Sequence, residues 1–278
     1  AEYLYRGISA HDEAIDALTS AWQRDLLDVA GRRLLAELLQ EQGRWTESLP
    51  VVQELIVDEP EASDLRARLV GALFHTEGRA AALQALERAE ADLRELEAWN
   101  EEAVVNLAVA AQESELLAPA AVLWDEAIAL HTRSAPNRGV GDGTLARYWR
   151  EKAGVLSRLG RTVEAVDAAA GAVVAWGSDR SSRADDLERL HDVLAQAEDL
   201  DGYVAHLDAE VARSGLENPI LRKAIGQVYL EQKRFEQAVA QLRSALEVQP
   251  DDAETAEALV RACDRMGAPE LATEALLE

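Results

Sequence analysis

The sequence predicts an all-α protein built from stacked helix pairs, and three observations support this. Apolar residues recur at helical spacing through most of the chain, whereas its 278 residues include only 16 Gly and 7 Pro. A pattern of two helices joined by a short polar turn recurs along the sequence. The length also exceeds that of a usual single core, so we expect a repeat array whose helix pairs cover each other's apolar faces.

The clearest repeat spans residues 218–252. Asn218 and Pro219 are typical of a helix start, since Asn caps helices and Pro fits the first helical turn. Gly226 lies on the apolar face of the first helix and would let the second helix approach closely. A polar turn follows, and Pro250 ends the second helix. The segment is therefore predicted to be a helix pair.

A residue near the start of each second helix allows the repeat to be followed along the chain. The predicted positions are Ala14, Ser48, Ala82, Ala120, Ala165, Tyr203, Ala238 and Ala272. Successive members are separated by 34, 34, 38, 45, 38, 35 and 34 residues. Most of them are small, but Tyr203 places a large ring where a small residue is expected. We therefore predict that this pair is locally splayed or that its register is shifted.

This pattern resembles the tetratricopeptide repeat (TPR) family, whose period is 34 residues. The matching positions in the clearest repeat are Ile225, Gly226, Tyr229, Ala238 and Pro250. Arg222 stands where the family has a bulky residue, and Leu242 where it has an aromatic one. The resemblance implies a right-handed superhelical solenoid of antiparallel helix pairs, with the first helices lining a concave surface.

We expect one solenoid over residues 1–278. Its approximate repeats are 1–28 (partial), 29–62, 63–99, 100–143, 144–183, 184–217, 218–252 and 253–278 (partial). The chain opens inside a half-finished repeat and ends before a capping helix, so we expect it to be a fragment of a longer protein. A Gly-rich loop at 134–143 accounts for the longest step. It is either a surface insertion or a loop that contacts the ligand.

Charge and composition restrict the partners. The formal net charge is −24, and a field of this sign repels nucleic-acid phosphates, so nucleic acid is not an expected partner. No apolar run is long enough to cross a bilayer, and membrane insertion is not expected. Cys263 is the only cysteine, so the fold does not depend on an oxidising compartment. We expect a cytoplasmic location.

No pattern points to catalysis. None of the five histidines lies in a HExxH motif, and the Gly-rich loop lacks the lysine of a phosphate-binding loop. Paired acidic residues lie near predicted helix starts, where capping explains them. We therefore predict no catalytic residues, no cofactor and no metal, and a protein that is not an enzyme.

The tryptophans divide into two groups. Trp124 and Trp149 fall on core positions of the TPR pattern, so packing explains them. Trp22, Trp99 and Trp176 lie late in second helices or just beyond them. The second group either packs between repeats or is exposed and anchors a partner.

The family resemblance also suggests a binding surface, because the fifth residue of a TPR repeat often points into the groove. The corresponding residues are Arg33, Arg68, Val105, Arg150, Glu188, Lys223 and Glu257. Four of these are basic although the chain is acidic. With neighbouring positions, the predicted groove residues are Arg33, Glu37, Arg68, Asn106, Arg150, Lys223 and Gln227. The alternative is that the arginines lie on solvated helix faces and pair with glutamates at i,i+4.

The predicted function is a non-catalytic protein–protein interaction scaffold that binds a peptide or partner segment in the concave groove. The expected ligand chemistry is acidic side chains or a C-terminal carboxylate. One alternative is a self-associating structural or regulatory module. A further alternative is a small-molecule sensor or an enzyme domain, which no motif supports.

Overall fold

The structure is a computed structural model that describes residues 10–134, 141–176, 184–197, 199–215 and 217–271. These residues are largely α-helical and contain no strand, so the predicted all-α class is confirmed. The helices are α1 (Ala10–Trp22), α2 (Val29–Glu41), α3 (Trp45–Asp58), α4 (Ser63–Glu77), α5 (Arg79–Glu95), α6 (Glu101–Glu113), α7 (Leu117–Ser134), α8 (Gly143–Arg158), α9 (Thr162–Ala175), α10 (Ala184–Ala195), α11 (Leu200–Ser214), α12 (Pro219–Glu231), α13 (Phe235–Val248) and α14 (Ala253–Met266).

The chain divides into two compact units. Unit 1 is Ala1–Pro136 and unit 2 is Asn137–Glu278. The boundary falls inside the predicted loop 134–143, of which residues 135–140 lie outside the described part. The helices extend further into this segment than the sequence predicts, because Ser134 still belongs to α7 and Gly143 already begins α8. A single continuous solenoid stays a prediction.

Each unit is built from helix pairs. In unit 1, α2 packs on α3, α4 on α5 and α6 on α7, while α1 packs on α2. In unit 2, α8 packs on α9 and α12 on α13. Residues at the helical period supply each contact, as in the core of Leu35, Leu39 and Leu55 between α2 and α3. Each helix pair is thus held by an apolar stripe that the sequence pattern shows.

The second helices share one register. Each of α3, α5, α7, α9, α11 and α13 begins three residues before the position predicted from the sequence. Those positions are buried in all six helices: Ser48, Ala82, Ala120, Ala165, Tyr203 and Ala238. Ala272 lies outside the described residues. The register therefore holds at Tyr203, and the shift considered from the sequence is not observed.

The Tyr203 ring is accommodated by contact with the preceding pair. It is almost fully buried, and its hydroxyl donates to Asp167 Oδ1 of α9 at 2.8 Å. Burial, together with this carboxylate, raises the pKa of the Tyr203 hydroxyl well above its usual range. The phenol therefore stays neutral and remains a donor, so the large residue links α11 to α9.

Gly226 sets the distance between α12 and α13, as the sequence predicts. A Cβ at this position would lie 2.7 Å from Leu242 Cγ and 2.8 Å from Leu242 Cδ2. Such contacts are too short for a methyl group, so the absence of a side chain lets the two helices approach.

Arg222 occupies a core position in place of the family's bulky residue. Its side chain is buried, and the guanidinium reaches Glu217 Oε1 at 2.9 Å, Gln241 Oε1 at 2.8 Å and Asp208 Oδ1 at 2.7 Å. Two carboxylates and an amide therefore satisfy a cation that would be costly to bury alone. The aliphatic stem takes part of the space of the bulky residue.

The turns between paired helices use a residue in the left-handed region. Gly43 (φ 70°) and Gly160 (φ 71°) lie two residues before α3 and α9. The equivalent positions hold Glu115 (φ 58°) before α7 and Lys233 (φ 60°) before α13. Glycine adopts this conformation without penalty, whereas a residue with a Cβ does not.

Candidate functional site

Successive first helices pack directly on one another. In unit 1, α4 packs on α6, whereas α3, α5 and α7, which are described in full, show no comparable packing among themselves. In unit 2, α10 packs on α12, and α12 contacts α14. We call the surface that the first helices present within each unit the first-helix face. It carries the residues that the family resemblance selects.

Arg33 joins two neighbouring helix pairs of unit 1. Its Nε donates to Glu59 Oε2 at 2.7 Å, and its Nη1 donates to Asp64 at the start of α4. The hydrogen bond from Asp64 opposes the effect of burial and raises the pKa of the guanidinium. Arg33 is thus engaged by carboxylates of its own chain.

The other predicted residues of unit 1 make weaker contacts. Arg68 Nη1 donates to Gln40 Oε1 at 3.2 Å, and Arg68 Nη2 lies 3.9 Å from Glu37 Oε1. Asn106 Nδ2 donates to Ser63 Oγ at 2.9 Å. The structure therefore brings Glu37 and Arg68 together and ties Asn106 of α6 to the beginning of α4.

Arg150 forms the most enclosed of these contacts. Its Nε and Nη2 donate to the two oxygens of Asp186 at 2.6 and 2.9 Å, and Trp176 Nε1 donates to Asp186 Oδ2 at 2.7 Å. Asp186 is only 1% exposed. Burial alone would raise the pKa of Asp186, but the hydrogen bonds from Arg150 and Trp176 outweigh it and lower the pKa.

Lys223 makes the equivalent connection at α14. Its Nζ lies 3.0 Å from Asp252 Oδ2 and 2.7 Å from Glu254 Oε2. Asp252 also caps α14 by accepting from the Thr255 backbone N–H. Burial opposes ionisation of Asp252, yet the hydrogen bonds from Thr255 and Lys223 lower its pKa. The carboxylate thus stabilises the start of the helix and binds the lysine of the preceding pair.

A shared arrangement emerges from these contacts. Arg33, Arg150 and Lys223 each hold an acidic residue at the start of the next first helix, rather than a glutamate at i,i+4 on the same helix. The four basic residues are also not strictly equivalent. Counted from the first residue of each helix, Arg33 and Lys223 are fifth, whereas Arg68 is sixth and Arg150 is eighth. The fifth-position assignment therefore needs correction for Arg68 and Arg150.

Two cavities lie at opposite ends of α12 in unit 2. One, of about 580 Å³, is near the helix starts and is lined by Leu187, Ile220, Lys223, Asp252 and Glu254, among others. The other, of about 740 Å³, is near the helix ends, and Gln227, Leu230, Lys233, Phe235, Arg261 and Arg265 contribute to it. Of the seven predicted residues, Lys223 and Gln227 therefore line cavities on the first-helix face of this unit.

The basic residues of the second cavity were missed by the sequence analysis. The available signal was the order of charge along α14, where Glu254 and Glu257 precede Arg261 and Arg265. All four side chains are exposed. Such an order also complements the helix dipole, so it does not by itself mark a site.

The late tryptophans form contacts between successive repeats. Trp22 Nε1 donates to Glu54 Oε2 at 2.8 Å, and Trp99 Nε1 donates to Glu126 Oε1 at 2.7 Å. Together with the bond from Trp176 to Asp186, these contacts favour packing over partner anchoring. Each indole is half-buried. The acidic acceptors could not be identified from the pattern of apolar residues.

Features of other protein classes were also sought in the part of the chain that the structure describes. It contains no group of three or more His, Cys, Asp or Glu side chains placed to hold a metal ion. None of its helices combines the length and hydrophobicity needed to cross a membrane. Cys263 is buried, and burial raises the pKa of its thiol.

Comparison with known proteins gives two family matches. Residues 219–262 match the model described as tetratricopeptide repeat. Residues 1–107 match the model described as bacterial transcriptional activator domain. Among curated proteins, none matches the sequence.

Solved structures of low sequence identity also resemble the chain. A tetratricopeptide repeat protein from Parabacteroides merdae is 14% identical over 94% of this chain and 96% of that chain, with a TM-score of 0.46. A chain of the APC/C hetero-tetramer Cut9–Hcn1 is 14% identical over 91% of this chain and 46% of its own length, with a TM-score of 0.41. YrrB, titled a TPR protein with an unusual peptide-binding site, is 15% identical over 88% and 98%, with a TM-score of 0.38.

The family assignment combines the match with the geometry. The matched residues 219–262 contain α12, α13 and most of α14, and the buried position near the start of α13 recurs in five other second helices. On these grounds the chain belongs to the tetratricopeptide repeat family.

Proposed function

We propose that the chain is a non-catalytic interaction scaffold that binds a peptide or partner segment on the first-helix face. The observation that carries this proposal is the pair of cavities, about 580 and 740 Å³, along α12 and α14. Both combine apolar and charged side chains. A bound segment would bury its apolar side chains there while polar groups fix its position.

Acidic side chains or a C-terminal carboxylate remain the proposed ligand chemistry, but the ion pairs change the energetics. A ligand carboxylate that binds Arg33, Arg150 or Lys223 has to share or replace a carboxylate of the chain itself. At Arg150 it would compete with the buried Asp186. At Lys223 it would compete with Glu254, whose side chain is 81% exposed. Exchange at an exposed pair changes the free energy little, so Lys223 is the more accessible of the two.

Selection from a random peptide library displayed on its own messenger RNA tests the scaffold proposal. Selected peptides should bind the wild-type chain and bind more weakly to Lys223→Gln and Arg68→Gln. Arg88→Gln is the control, because this side chain lies on the second helix α5 and is largely exposed. Circular dichroism establishes that every variant is folded. Failure to select any peptide, or affinity that depends on Arg88 but not on the first-helix residues, would contradict the proposal.

A second candidate function is a self-associating regulatory module of a bacterial transcription regulator. The match of residues 1–107 to the bacterial transcriptional activator domain favours it. The net charge of −24 argues against a direct role of this chain in contacting DNA. Light scattering over a range of protein concentrations tests this candidate. A molar mass that stays at the monomer value throughout would rule out self-association of the chain.

A further inference from the structure

A mixed apolar and basic cavity lies at the ends of α12 and α14 in unit 2. Leu230 and Phe235 are half-buried and supply apolar surface, while Gln227 adds an amide beside them. The volume of about 740 Å³ is sufficient for a large side chain with part of its backbone. The cavity therefore offers an apolar contact bordered by polar groups.

The charge of this cavity opposes that of the chain. Lys233, Arg261 and Arg265 line it and are exposed, and none of them forms an ion pair with a residue that the structure describes. Arg234, by contrast, lies 2.6 Å from Asp201. Glu231 is the acidic residue among the lining side chains, and its Oε2 lies 3.2 Å from His191 Nε2 of α10. Three cations thus face a cavity whose one carboxylate lies near a histidine.

The backbone at Lys233 adds an independent observation. Lys233 has φ 60°, whereas glycine fills the equivalent turn position before α3 and α9. A lysine there is conformationally less favourable than glycine. The dipole of α14 accounts for Arg265 in its last turn, but it does not account for a lysine in the turn before α13.

From these observations we propose that the ends of α12 and α14 bind an acidic segment of a partner protein that carries an apolar side chain. The apolar side chain lies against Leu230 and Phe235, and carboxylates on either side pair with Arg261, Arg265 and Lys233. Arginine suits this role because its planar guanidinium binds a carboxylate through two hydrogen bonds. The inference rests on the proposed scaffold function and names the partner chemistry at one place on the first-helix face.

A short peptide is a better occupant than a nucleic acid. A polyanion would extend beyond the three cations and meet the repulsion of a chain with net charge −24. A segment with a few carboxylates stays within the basic area, and its apolar side chain uses surface that a phosphate backbone would leave exposed.

Fluorescence anisotropy with a labelled peptide of Asp and Glu around one central Phe tests the proposal. The wild-type chain should bind this probe, and Arg261→Glu/Arg265→Glu should weaken binding by roughly tenfold or more. Arg79→Glu/Arg88→Glu changes the net charge equally but lies on α5, and should leave binding unchanged. A probe with Ser in place of Phe should bind more weakly, and added NaCl should weaken binding of the acidic Phe probe.

Lys233→Gly separates binding from folding. It should raise the thermal midpoint, because glycine prefers this backbone conformation, and it should weaken the probe by about two- to fivefold. A loss of affinity in a more stable variant is not explained by misfolding. Unchanged affinity of both the Lys233 and the double arginine variants would overturn the proposal.

Three other results would also overturn it: equal binding of the Ser probe, no binding of the acidic Phe probe, or binding of an oligothymidylate in its place that depends on Arg261 and Arg265. The scaffold proposal has a separate outcome. If selected library peptides require Lys223 but not Arg261 and Arg265, the scaffold function stands and this site is wrong. If the library yields no peptide, the scaffold proposal fails as well.

Discussion

Glycine has opposite roles at two helical positions of unit 2, and the difference is a matter of local space. At Gly226 a Cβ would meet Leu242 at 2.7 Å, whereas at Gly154 no heavy atom lies within 4 Å of the added Cβ. The intrinsic helix preference for alanine is the same at both positions. Only the proximity of the neighbouring helix distinguishes them.

Gly226→Ala should therefore lower the free energy of unfolding by about 1–2 kcal/mol, because overpacking exceeds the gain in helix propensity. Gly154→Ala is the matched control and should raise it by about 0.5–1 kcal/mol. Urea unfolding followed by circular dichroism measures both. A Gly226→Ala variant that is as stable as wild type would mean that α12 and α13 are not in close contact at this position.

Asp186 should make the stability of the chain depend on pH. Its pKa is lowered in the folded state, so its contribution to stability is complete above the unfolded value of about 3.9 and is lost as the pH falls through the folded value. Asp186→Asn should lower the free energy of unfolding by about 2–4 kcal/mol at pH 7, since Arg150 then loses its buried charged partner.

Urea unfolding from pH 7 to below pH 4 measures this effect. The difference between wild type and Asp186→Asn should shrink on acidification, because protonation removes the same charge from the wild-type chain. Arg88→Gln, which does not titrate in this range, serves as the control for general acid effects. A difference that stays constant over the whole range would contradict the assigned role of Asp186.

At the scale of the helix, α11 departs from the other second helices through a single side chain. Its fourth residue, Tyr203, is buried and bonds to α9, whereas the equivalent residue is Ala or Ser in the other second helices. Substitution toward the repeat pattern should therefore destabilise the chain. The sequence pattern alone would suggest the reverse.

Tyr203→Ala should lower the free energy of unfolding by about 3–5 kcal/mol, since it leaves a cavity the size of a phenol ring. Tyr203→Phe is the control and should lower it by about 1 kcal/mol, because it removes only the bond to the exposed Asp167. Thermal and urea unfolding measure both variants. Equal stability of Tyr203→Ala and wild type would show that the ring is not required for packing.

At the scale of the whole molecule, charge is the dominant property. The formal net charge of −24 makes compaction unfavourable through repulsion among carboxylates. Salt screens this repulsion beyond the Debye length of about 10 Å at 0.1 M. The short ion pairs between helices are also weakened by salt, but those at the surface contribute little.

Raising NaCl from low to physiological concentration should therefore raise the thermal midpoint by roughly 2–4 °C at neutral pH. The same titration near the calculated pI of about 4.6 is the control and should show little change, because the net charge is then small. Differential scanning calorimetry measures the midpoint. A midpoint that falls with salt at neutral pH would indicate that the ion pairs between helices outweigh the general repulsion.

The sequence by itself determined the helix pairs and their register, because these depend on local features. Apolar spacing selects the buried faces, and capping residues such as Asn218 start helices at the residue expected. The same reasoning located Gly226 and the buried positions near the start of the second helices. All of these features act within a helix or across one short turn.

Only the tertiary structure decided which charged groups meet. Arg33, Arg150 and Lys223 bind acidic residues 29 to 36 positions away, and the basic cavity combines the turn after α12 with the last turns of α14. A periodic pattern fixes the face on which a side chain lies, but not the residue of the next repeat that it contacts. That partner depends on how closely the neighbouring pairs pack, which the residues at their crossing determine.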